Sequence, residues 1–437
     1  MFIRLLRSIL ALYTLAAVIH TTHFFIIAPL HSAVSSIVTH LSPHFLSLRL
    51  SRPILSRREN EPVSPPIDTQ ALFKSDDLIH WKSSDFSLQH GFGHDSPVAM
   101  SESLFLSKAF ANSMQPSKIL PFFYRASGSF KDKDITITTL VTSNRFQVFG
   151  QLVEHYSGPI SATIHIRNST EHVKDLLNSL RTLYLSSPKM ATNVDVHLVI
   201  DAFDRQFNTW RNIARFFART DFVMMLDIDF FPCTDFRSSI LNNPAAMSKL
   251  QSGTAALVLP AFEYPVHEDG IDATKFPRSK ASLVPLVHTG RIGMFHASWA
   301  LGHGSTDYDR FLAAGPGEIY KVTKYQAAYE PYIVFKRDGP PWCDERFVGY
   351  GGNKAACLFE MYLSGISYYV LTDHFLIHQN HLYEETARRA ERKYNRKIYT
   401  EFKEEACLRY LKRFRYDNTT RGQNARVECR KFRSQLP

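Results

Sequence analysis

The chain has 437 residues, of which 44% are hydrophobic and 21% charged, and its net charge is +10. This composition excludes a wholly disordered chain and supports a large core, and the length predicts one large domain with appendages, or two domains. The positive charge would suit nucleic acid, anionic lipid or phosphorylated substrates, but the sequence has no RRM, helix-turn-helix or zinc-finger signature, so we expect no nucleic-acid partner.

Residues 1–30 predict a membrane segment. Arg4 and Arg7 precede an apolar stretch at residues 8–18, and after a polar break the apolar residues 24–30 follow. Because positive residues stay on the cytosolic side, the body of the protein is expected in the lumen. We therefore predict a single-pass type II signal anchor, with a cleaved signal peptide or a mitochondrial presequence as the alternatives.

Composition divides the remaining chain into three parts. Residues 31–133 are rich in Ser, Pro and His and predict a partly disordered stem, residues 134–415 predict the folded domain, and residues 416–437 form a basic tail. Two sequons, at Asn168 and Asn418, agree with a lumenal body.

The chain has five cysteines and no Cys-x-x-Cys pair, which disfavours a zinc knuckle. An odd number leaves at least one thiol free or bonded to another chain. One or two disulfides are expected, and the sequence leaves their pairing open.

Strand and helix patterns alternate from Asp134 onward. Predicted strands lie at 134–141, 160–166, 194–200 and 222–232, and predicted helices at 144–156, 169–184 and 207–220. This alternation is typical of an α/β protein with a Rossmann-like, mostly parallel sheet that has helices on both faces.

The fourth predicted strand, "FVMMLDIDFFP", contains Asp227 and Asp229 where its apolar run ends. Ligands bind beyond the C-terminal ends of such strands, and side chains two apart on an extended chain point the same way. Two neighbouring carboxylates repel each other unless a cation compensates them, and Mg²⁺ or Mn²⁺ suits oxygen ligands. The alternative is a strand-end turn with solvated aspartates.

Several ordered motifs carry a family resemblance. The stretch from 329 to 381 contains "YEPY", "DERFVGYG", "NK", "YYVL" and "FLIH", and the earlier part contains "ITITTLVTSNRF", "GPIS", "WRNIAR" and "MLDIDFFP". Residues 134–412 thereby resemble glycosyltransferase family 49, which includes a β-1,4-glucuronyltransferase and the second catalytic domain of the LARGE-type transferases. The sequence shows only one such domain, so the resemblance does not imply a two-domain enzyme.

The resemblance implies a GT-A fold and an activity. The expected enzyme is a metal-dependent inverting glycosyltransferase of the Golgi or endoplasmic reticulum. It would move a sugar from a UDP-sugar, such as UDP-glucuronate or UDP-N-acetylglucosamine, to a hydroxyl of a glycan or glycoprotein. The expected cofactor is a divalent cation, Mn²⁺ ahead of Mg²⁺. Trp342, Cys343 and residues 267–290 depart from the family pattern, so the resemblance does not transfer the sugar specificity.

The resemblance also implies residue roles. An inverting transferase needs a base for the acceptor hydroxyl, and backbone amides with a lysine can offset the leaving diphosphate. The expected metal ligands are Asp227, Asp229 and His378, with His381 as the rival of His378. The expected base is Asp344, with Glu345 second. The residues expected to bind the donor are Arg211, Asn212, Asp227 and Lys354, and those expected to line the sugar pocket are Trp299, His303, Thr306 and Asp307.

Structural roles are the alternatives for these residues. His378 at a strand end would suit packing, and Asp344 or Glu345 would suit a salt bridge with Arg346. The aromatic residues Phe230, Phe231, Phe347 and Tyr350 are predicted to belong to the core. At the level of the whole protein, the alternative is a catalytically silent carbohydrate-binding protein on the same fold, and the retained acids and His378 argue against it.

Overall fold

The computed structural model describes residues 79–81, 98–100, 118–167, 173–201, 205–382, 385–417 and 419–432. The predicted anchor, most of the predicted stem and both sequons, at Asn168 and Asn418, lie outside these residues. None of the helices within the described ranges is long and apolar enough to cross a bilayer.

The described residues form fifteen strands and eleven α-helices. The strands are β1 (Ile79–Trp81), β2 (Val98–Met100), β3 (Lys118–Tyr124), β4 (Ile135–Val141), β5 (Ile160–Arg167), β6 (Val194–Asp201), β7 (Phe222–Met225), β8 (Phe230–Pro232), β9 (Ala255–Leu259), β10 (Ala261–Glu263), β11 (Gly293–Met294), β12 (Ile319–Lys321), β13 (Tyr332–Lys336), β14 (Ser367–Leu371) and β15 (Leu376–His378). The helices are α1 (Phe146–His155), α2 (Val173–Leu185), α3 (Pro188–Asn193), α4 (Phe207–Phe216), α5 (Phe236–Leu241), α6 (Pro244–Gln251), α7 (Lys280–His288), α8 (Tyr308–Ala313), α9 (Asn353–Leu363), α10 (Glu385–Arg413) and α11 (Gln423–Arg430).

The main sheet has nine strands in the order β12–β14–β9–β13–β7–β4–β5–β6–β3. The predicted strand–helix units supply its parallel run, β7–β4–β5–β6. Strand β13 runs antiparallel to both of its neighbours, and the edge strands β3 and β12 are antiparallel to theirs. The sheet is therefore mixed, and the expectation of a mostly parallel sheet holds only for its central run and for β9 beside β14.

Both faces of the main sheet are covered. In β7, Val223 and Met225 belong to one apolar cluster and Phe222 and Met224 to another, as expected for side chains that alternate across a strand. The first cluster includes residues of α9, α10 and α11, and the second includes residues of α1, α2, α5 and α6. Two covered faces explain why the central strands are apolar without alternation.

Three strands of the main sheet continue into a second sheet. Strands β7, β9 and β14 are followed in the chain by β8, β10 and β15, respectively. These three strands and β11 form a four-stranded sheet in the order β11–β10–β15–β8. The predicted single strand over 222–232 is therefore wrong. Its apolar run is interrupted by a turn at residues 228–229, so Asp227 and Asp229 do not lie on one extended strand.

The fold extends beyond the predicted limits of the domain on both sides. Strand β3 pairs with β6, and α11 is joined to α10 by the disulfide Cys407–Cys429. A second disulfide joins Cys343 to Cys357, and Cys233 is a buried free thiol. The expected leftover thiol is thus Cys233.

The disulfide between α10 and α11 leads to a stability prediction. Replacing Cys407 and Cys429 by Ser opens a link of 22 residues, so the free energy of unfolding should fall by about 3 kcal/mol through the gained chain entropy. Urea unfolding followed by tryptophan fluorescence measures this loss. Cys233→Ala removes a thiol without opening a link and should cost clearly less; equal losses in the two variants would contradict the assignment.

Candidate active site

Three side chains that could ligate a metal ion meet at the second sheet. Asp229, His378 and His381 place their ligand atoms within 4.8 Å of one another, and His381 Nε2 lies 3.2 Å from Asp229 Oδ2. Both histidines therefore belong to one cluster, although the sequence presented His381 only as a rival of His378. A carboxylate with two imidazoles is a donor set that fits a divalent transition-metal cation such as Mn²⁺ better than Mg²⁺, which prefers oxygen ligands.

Strand pairing brings this cluster together. Strands β8 and β15 are antiparallel with His378 opposite Phe230, so the residue before β8 lies beside the residues after β15. The amide of Gln379 donates to the carbonyl of Asp229 at 2.7 Å. Burial lowers the pKa of His378 to about 4, so its imidazole is neutral at pH 7 and carries the lone pair that a metal ion needs.

Asp227 faces a different set of partners. Its Oδ1 atom accepts from Arg211 Nη2 at 2.9 Å, and its Oδ2 atom accepts from Lys354 Nζ at 3.1 Å and from the Tyr332 hydroxyl at 2.9 Å. Burial alone would raise the pKa of Asp227, but the two cations outweigh it and hold that pKa well below its ordinary value. The carboxylate is therefore ionised, and the cluster of Asp227, Arg211 and Lys354 keeps one excess positive charge.

Arg211 is held rigidly in this cluster. Its Nη1 atom donates to Asn208 Oδ1 at 3.0 Å and to Asn353 Oδ1 at 2.7 Å. Asn208 lies three residues earlier on α4, on the same helix face, and its amide donates to the carbonyls of Asp344 and Asn353. The helix thereby fixes both the guanidinium and the start of α9.

Lys354 lies in the first turn of α9. The N-cap residue of this helix, Gly352, has φ +71°, a left-handed conformation that glycine adopts at little cost. Lys354 is almost fully buried, and its Nζ lies 3.5 Å from the centre of the Tyr332 ring. The ammonium is therefore fixed between a carboxylate and an aromatic face.

Asn212, predicted to bind the donor, is occupied within the protein. It is 4% exposed, its amide donates to the Cys343 carbonyl and to Glu345 Oε1, and its oxygen accepts from the Cys343 amide. These contacts tie α4 to the segment that precedes α9.

The two predicted bases are engaged differently. Both carboxylate oxygens of Asp344 accept from the guanidinium of Arg346 at distances of 2.7–3.1 Å, which is the salt bridge that the sequence left as the alternative. Glu345 is 5% exposed and burial raises its pKa to about 8. The base role of Asp344 stays a prediction, and these contacts favour a structural role for the segment.

The predicted sugar-pocket residues divide into two exposed side chains, those of Trp299 and Asp307, and two buried ones. Trp299 is 50% exposed, whereas His303 and Thr306 are buried. The Thr306 hydroxyl lies 2.7 Å from the Tyr329 hydroxyl, and the Asp307 carboxylate accepts from the Arg310 amide at the start of α8. Among the predicted core aromatics, Phe230, Phe231 and Phe347 are buried and Tyr350 is partly buried.

Four further residues lie at these clusters without a role predicted from the sequence. Arg145 Nε lies 2.7 Å from Asp229 Oδ1, and Tyr332 and Glu330 lie beside the Asp227 cluster. Burial raises the pKa of Glu330, and Lys354 lowers it.

His296 follows the buried Phe295, which contacts His378. Tyr332 and Glu330 stand in the quoted motif "YEPY", and Arg145 stands in "SNRF", so these motifs contained the available signal.

Comparison with known families agrees with this geometry. The sequence model of glycosyltransferase family 49, described as "Glycosyl-transferase for dystroglycan", matches residues 134–207 and 202–411. The chain belongs to glycosyltransferase family 49. The resemblance predicted from its motifs is thereby confirmed.

The names of curated relatives of this family 49 chain state two transferase activities. This chain is 33% identical over 252 residues to xylosyl- and glucuronyltransferase LARGE2 of Mus musculus, covering 57% of this chain and 34% of that protein. It is 28% identical over 291 residues to LARGE1 of Homo sapiens, covering 63% and 36%. The chain spans about a third of the length of the curated relatives it matches.

Similarity to solved structures is low. The structure of GalNAc-T7 with UDP, GalNAc and Mn²⁺ aligns with a TM-score of 0.35 and 12% identity, covering 57% of this chain and 44% of that chain. The structure of residues 1–349 of TarS from S. aureus also gives a TM-score of 0.35, with 10% identity and 64% and 65% coverage.

The geometry predicts which carboxylate binds metal. Asp229→Asn and His381→Gln should each weaken Mn²⁺ binding at least ~10-fold, the usual loss even for residues that only orient a ligand. Asp227→Asn should leave Mn²⁺ affinity nearly unchanged, because its carboxylate faces Arg211 and Lys354. Electron paramagnetic resonance of Mn²⁺ titrated into each variant measures the affinities. A loss in folded Asp227→Asn as large as in Asp229→Asn would place Asp227 among the ligands.

Proposed function

We propose that this chain is a metal-dependent inverting glycosyltransferase with a GT-A fold, which transfers a sugar from a UDP-sugar to a hydroxyl of a glycan or glycoprotein. The observation that carries the proposal is the pairing of two clusters at the C-terminal edge of the parallel strands. One is the carboxylate–imidazole set of Asp229, His378 and His381, and the other is the cationic set around Asp227. Family 49 membership and a parallel run interrupted by one reversed strand support the fold assignment.

The residues divide the work on the donor. Asp229 with the two histidines would hold a divalent cation, Mn²⁺ ahead of Mg²⁺, and a bound cation supplies positive charge against a diphosphate. Arg211 and Lys354 are preorganised by Asp227 and Asn353, so they would offset the charge that develops on the leaving UDP without reorganising. The negative charge of a donor diphosphate would be opposed by the one excess positive charge of the Asp227 cluster together with the cation.

The donor sugar and the setting in the cell extend the proposal. UDP-glucuronate is the first donor to test, because the named relatives are xylosyl- and glucuronyltransferases, and UDP-N-acetylglucosamine and UDP-xylose follow. Residues 1–30 would anchor the chain in the Golgi or endoplasmic-reticulum membrane as a type II protein. Residues 31–133 would provide the stem and residues 134–415 the lumenal catalytic domain, and residues 416–437 would form the tail. Asn168 and Asn418 would then carry glycans.

Donor binding provides the direct test. UDP should bind the chain in the presence of Mn²⁺ and lose most of its affinity in EDTA, because the diphosphate would then face Asp229 without its counter-charge. Calorimetry measures this difference, and a panel of UDP-sugars with glycan acceptors measures transfer. Equal UDP affinity in Mn²⁺ and in EDTA would remove the metal assignment. Metal-dependent UDP binding with neither transfer nor donor hydrolysis would favour the silent carbohydrate-binding alternative.

A further inference from the structure

His296 has an unusual backbone conformation beside the two clusters. Its φ and ψ are 54° and 46°, the left-handed region that non-glycine residues seldom adopt. Such conformations are strained and persist where the surroundings enforce them, often at functional sites. The contacts of the His296 backbone and side chain explain how this conformation is held.

The second sheet holds His296 in place. Strand β10 pairs with β11, with Glu263 opposite Gly293, and the amide of Phe295 donates to the Ala261 carbonyl at 3.0 Å. One residue later the amide of His296 donates to Glu263 Oε1 at 2.8 Å. Strand β10 also pairs with β15, which ends at His378. The same small sheet thus positions the metal-ligating cluster and His296.

The imidazole of His296 lies near residues of both clusters. One face stacks on Phe295, with ring centroids 3.9 Å apart, and Phe295 in turn lies 5.0 Å from the His378 ring. The residue is exposed, so its other side is open to solvent. Lys354 of the Asp227 cluster lies near enough to act on it electrostatically. A sugar whose diphosphate is held between the clusters would present its anomeric carbon near this ring.

We propose that His296 is the base that takes the proton from the acceptor hydroxyl, a role that rests on the transferase function proposed above. The acceptor oxygen forms a bond to the anomeric carbon while the bond from that carbon to the UDP oxygen breaks, and UDP leaves with the electron pair. The acceptor proton moves to an imidazole nitrogen of His296, which becomes an imidazolium and later releases the proton to water. Among the predicted acids, Asp227 and Asp229 pair with cations and Asp344 pairs with Arg346. Glu345 is buried at 5% exposure and accepts from the Asn212 amide, whereas the side chain of His296 is exposed.

The charges around His296 agree with this role. Burial of one face lowers the pKa of His296, and Lys354 on α9 with Arg388 and Arg392 on α10 lower it further. Glu263 on β10 is the acid that contacts its backbone, and the imidazoles of His303 and of His378 on β15 lie nearby. The imidazole is therefore neutral at pH 7 before the donor binds. A bound diphosphate would offset the cations and make the ring a stronger base when the acceptor arrives.

The test uses two replacements of His296 in the full chain. His296→Gly fits the left-handed backbone and His296→Gln keeps a polar side chain without a titratable nitrogen. Transfer should fall by roughly 10²–10⁴ in both, the usual range for losing general-base help, while UDP affinity in Mn²⁺ stays unchanged. Imidazole added to His296→Gly should restore part of the rate. The wild-type kcat should fall at acidic pH as the ring is protonated, and this acidic fall should be absent from His296→Gln.

Controls separate this proposal from the transferase function. His288→Gln, at an exposed histidine in the last turn of α7, should retain full transfer. A wild-type chain without transfer from any UDP-sugar would overturn the transferase function itself. Active His296 variants would overturn only the base assignment, as would loss of UDP affinity together with transfer, which marks a structural role. Abolished transfer in Asp344→Asn beside active His296 variants would return the base to Asp344.

Discussion

The ionised carboxylate of Asp227 is the interaction on which the candidate site depends. It collects Arg211 from α4, Lys354 from α9 and the Tyr332 hydroxyl from β13, three elements that lie far apart in the chain. A buried cation without a partner is strongly unfavourable, and burial lowers the pKa of Lys354 while Asp227 raises it again. Asp227 therefore keeps two cations charged and in place at one edge of the sheet.

The second sheet extends the main sheet at this edge. Strands β7, β9 and β14 end together because they run in one direction. Their continuations place three groups at this edge: Asp229 precedes β8, Glu263 of β10 accepts from the His296 amide, and β15 ends at His378. A single sheet would present these groups in one row. The turn after β7 instead separates the two aspartates, so that one faces the cationic cluster and the other faces the histidines.

The segment before α9 is held from several sides. The disulfide Cys343–Cys357 links it to α9. Asn212 hydrogen-bonds to both backbone groups of Cys343, and Arg346 forms a salt bridge with Asp344. The disulfide therefore fixes the segment covalently to the buried face of α9. The rigidity serves the first turn of α9, where Asn353 and Lys354 stand.

Local sequence determined most elements of the parallel run. Apolar and β-branched runs specified β4, β5 and β6 within a few residues, and the start of β7, because burial on both faces leaves a continuous apolar signal. Asp229 and His378 were predicted as metal ligands from their motifs, which mark strand ends that hold polar groups, and the structure brings the two residues together with His381. Strand β3 lies before the predicted domain start, and its pairing with β6 is a long-range contact that local pattern does not encode.

Tertiary structure alone decided how these residues are grouped. The pairing of β8 with β15 places His381 beside Asp229, and the cations on Asp227 come from helices on other parts of the chain. The sequence treated Asp227 and Asp229 as one pair because they are two residues apart, whereas a turn between them directs each to different partners. Two residues that are adjacent in sequence lie close together, but their side chains can point in different directions. Those directions follow from strand pairing and packing that involve residues more than a hundred positions away.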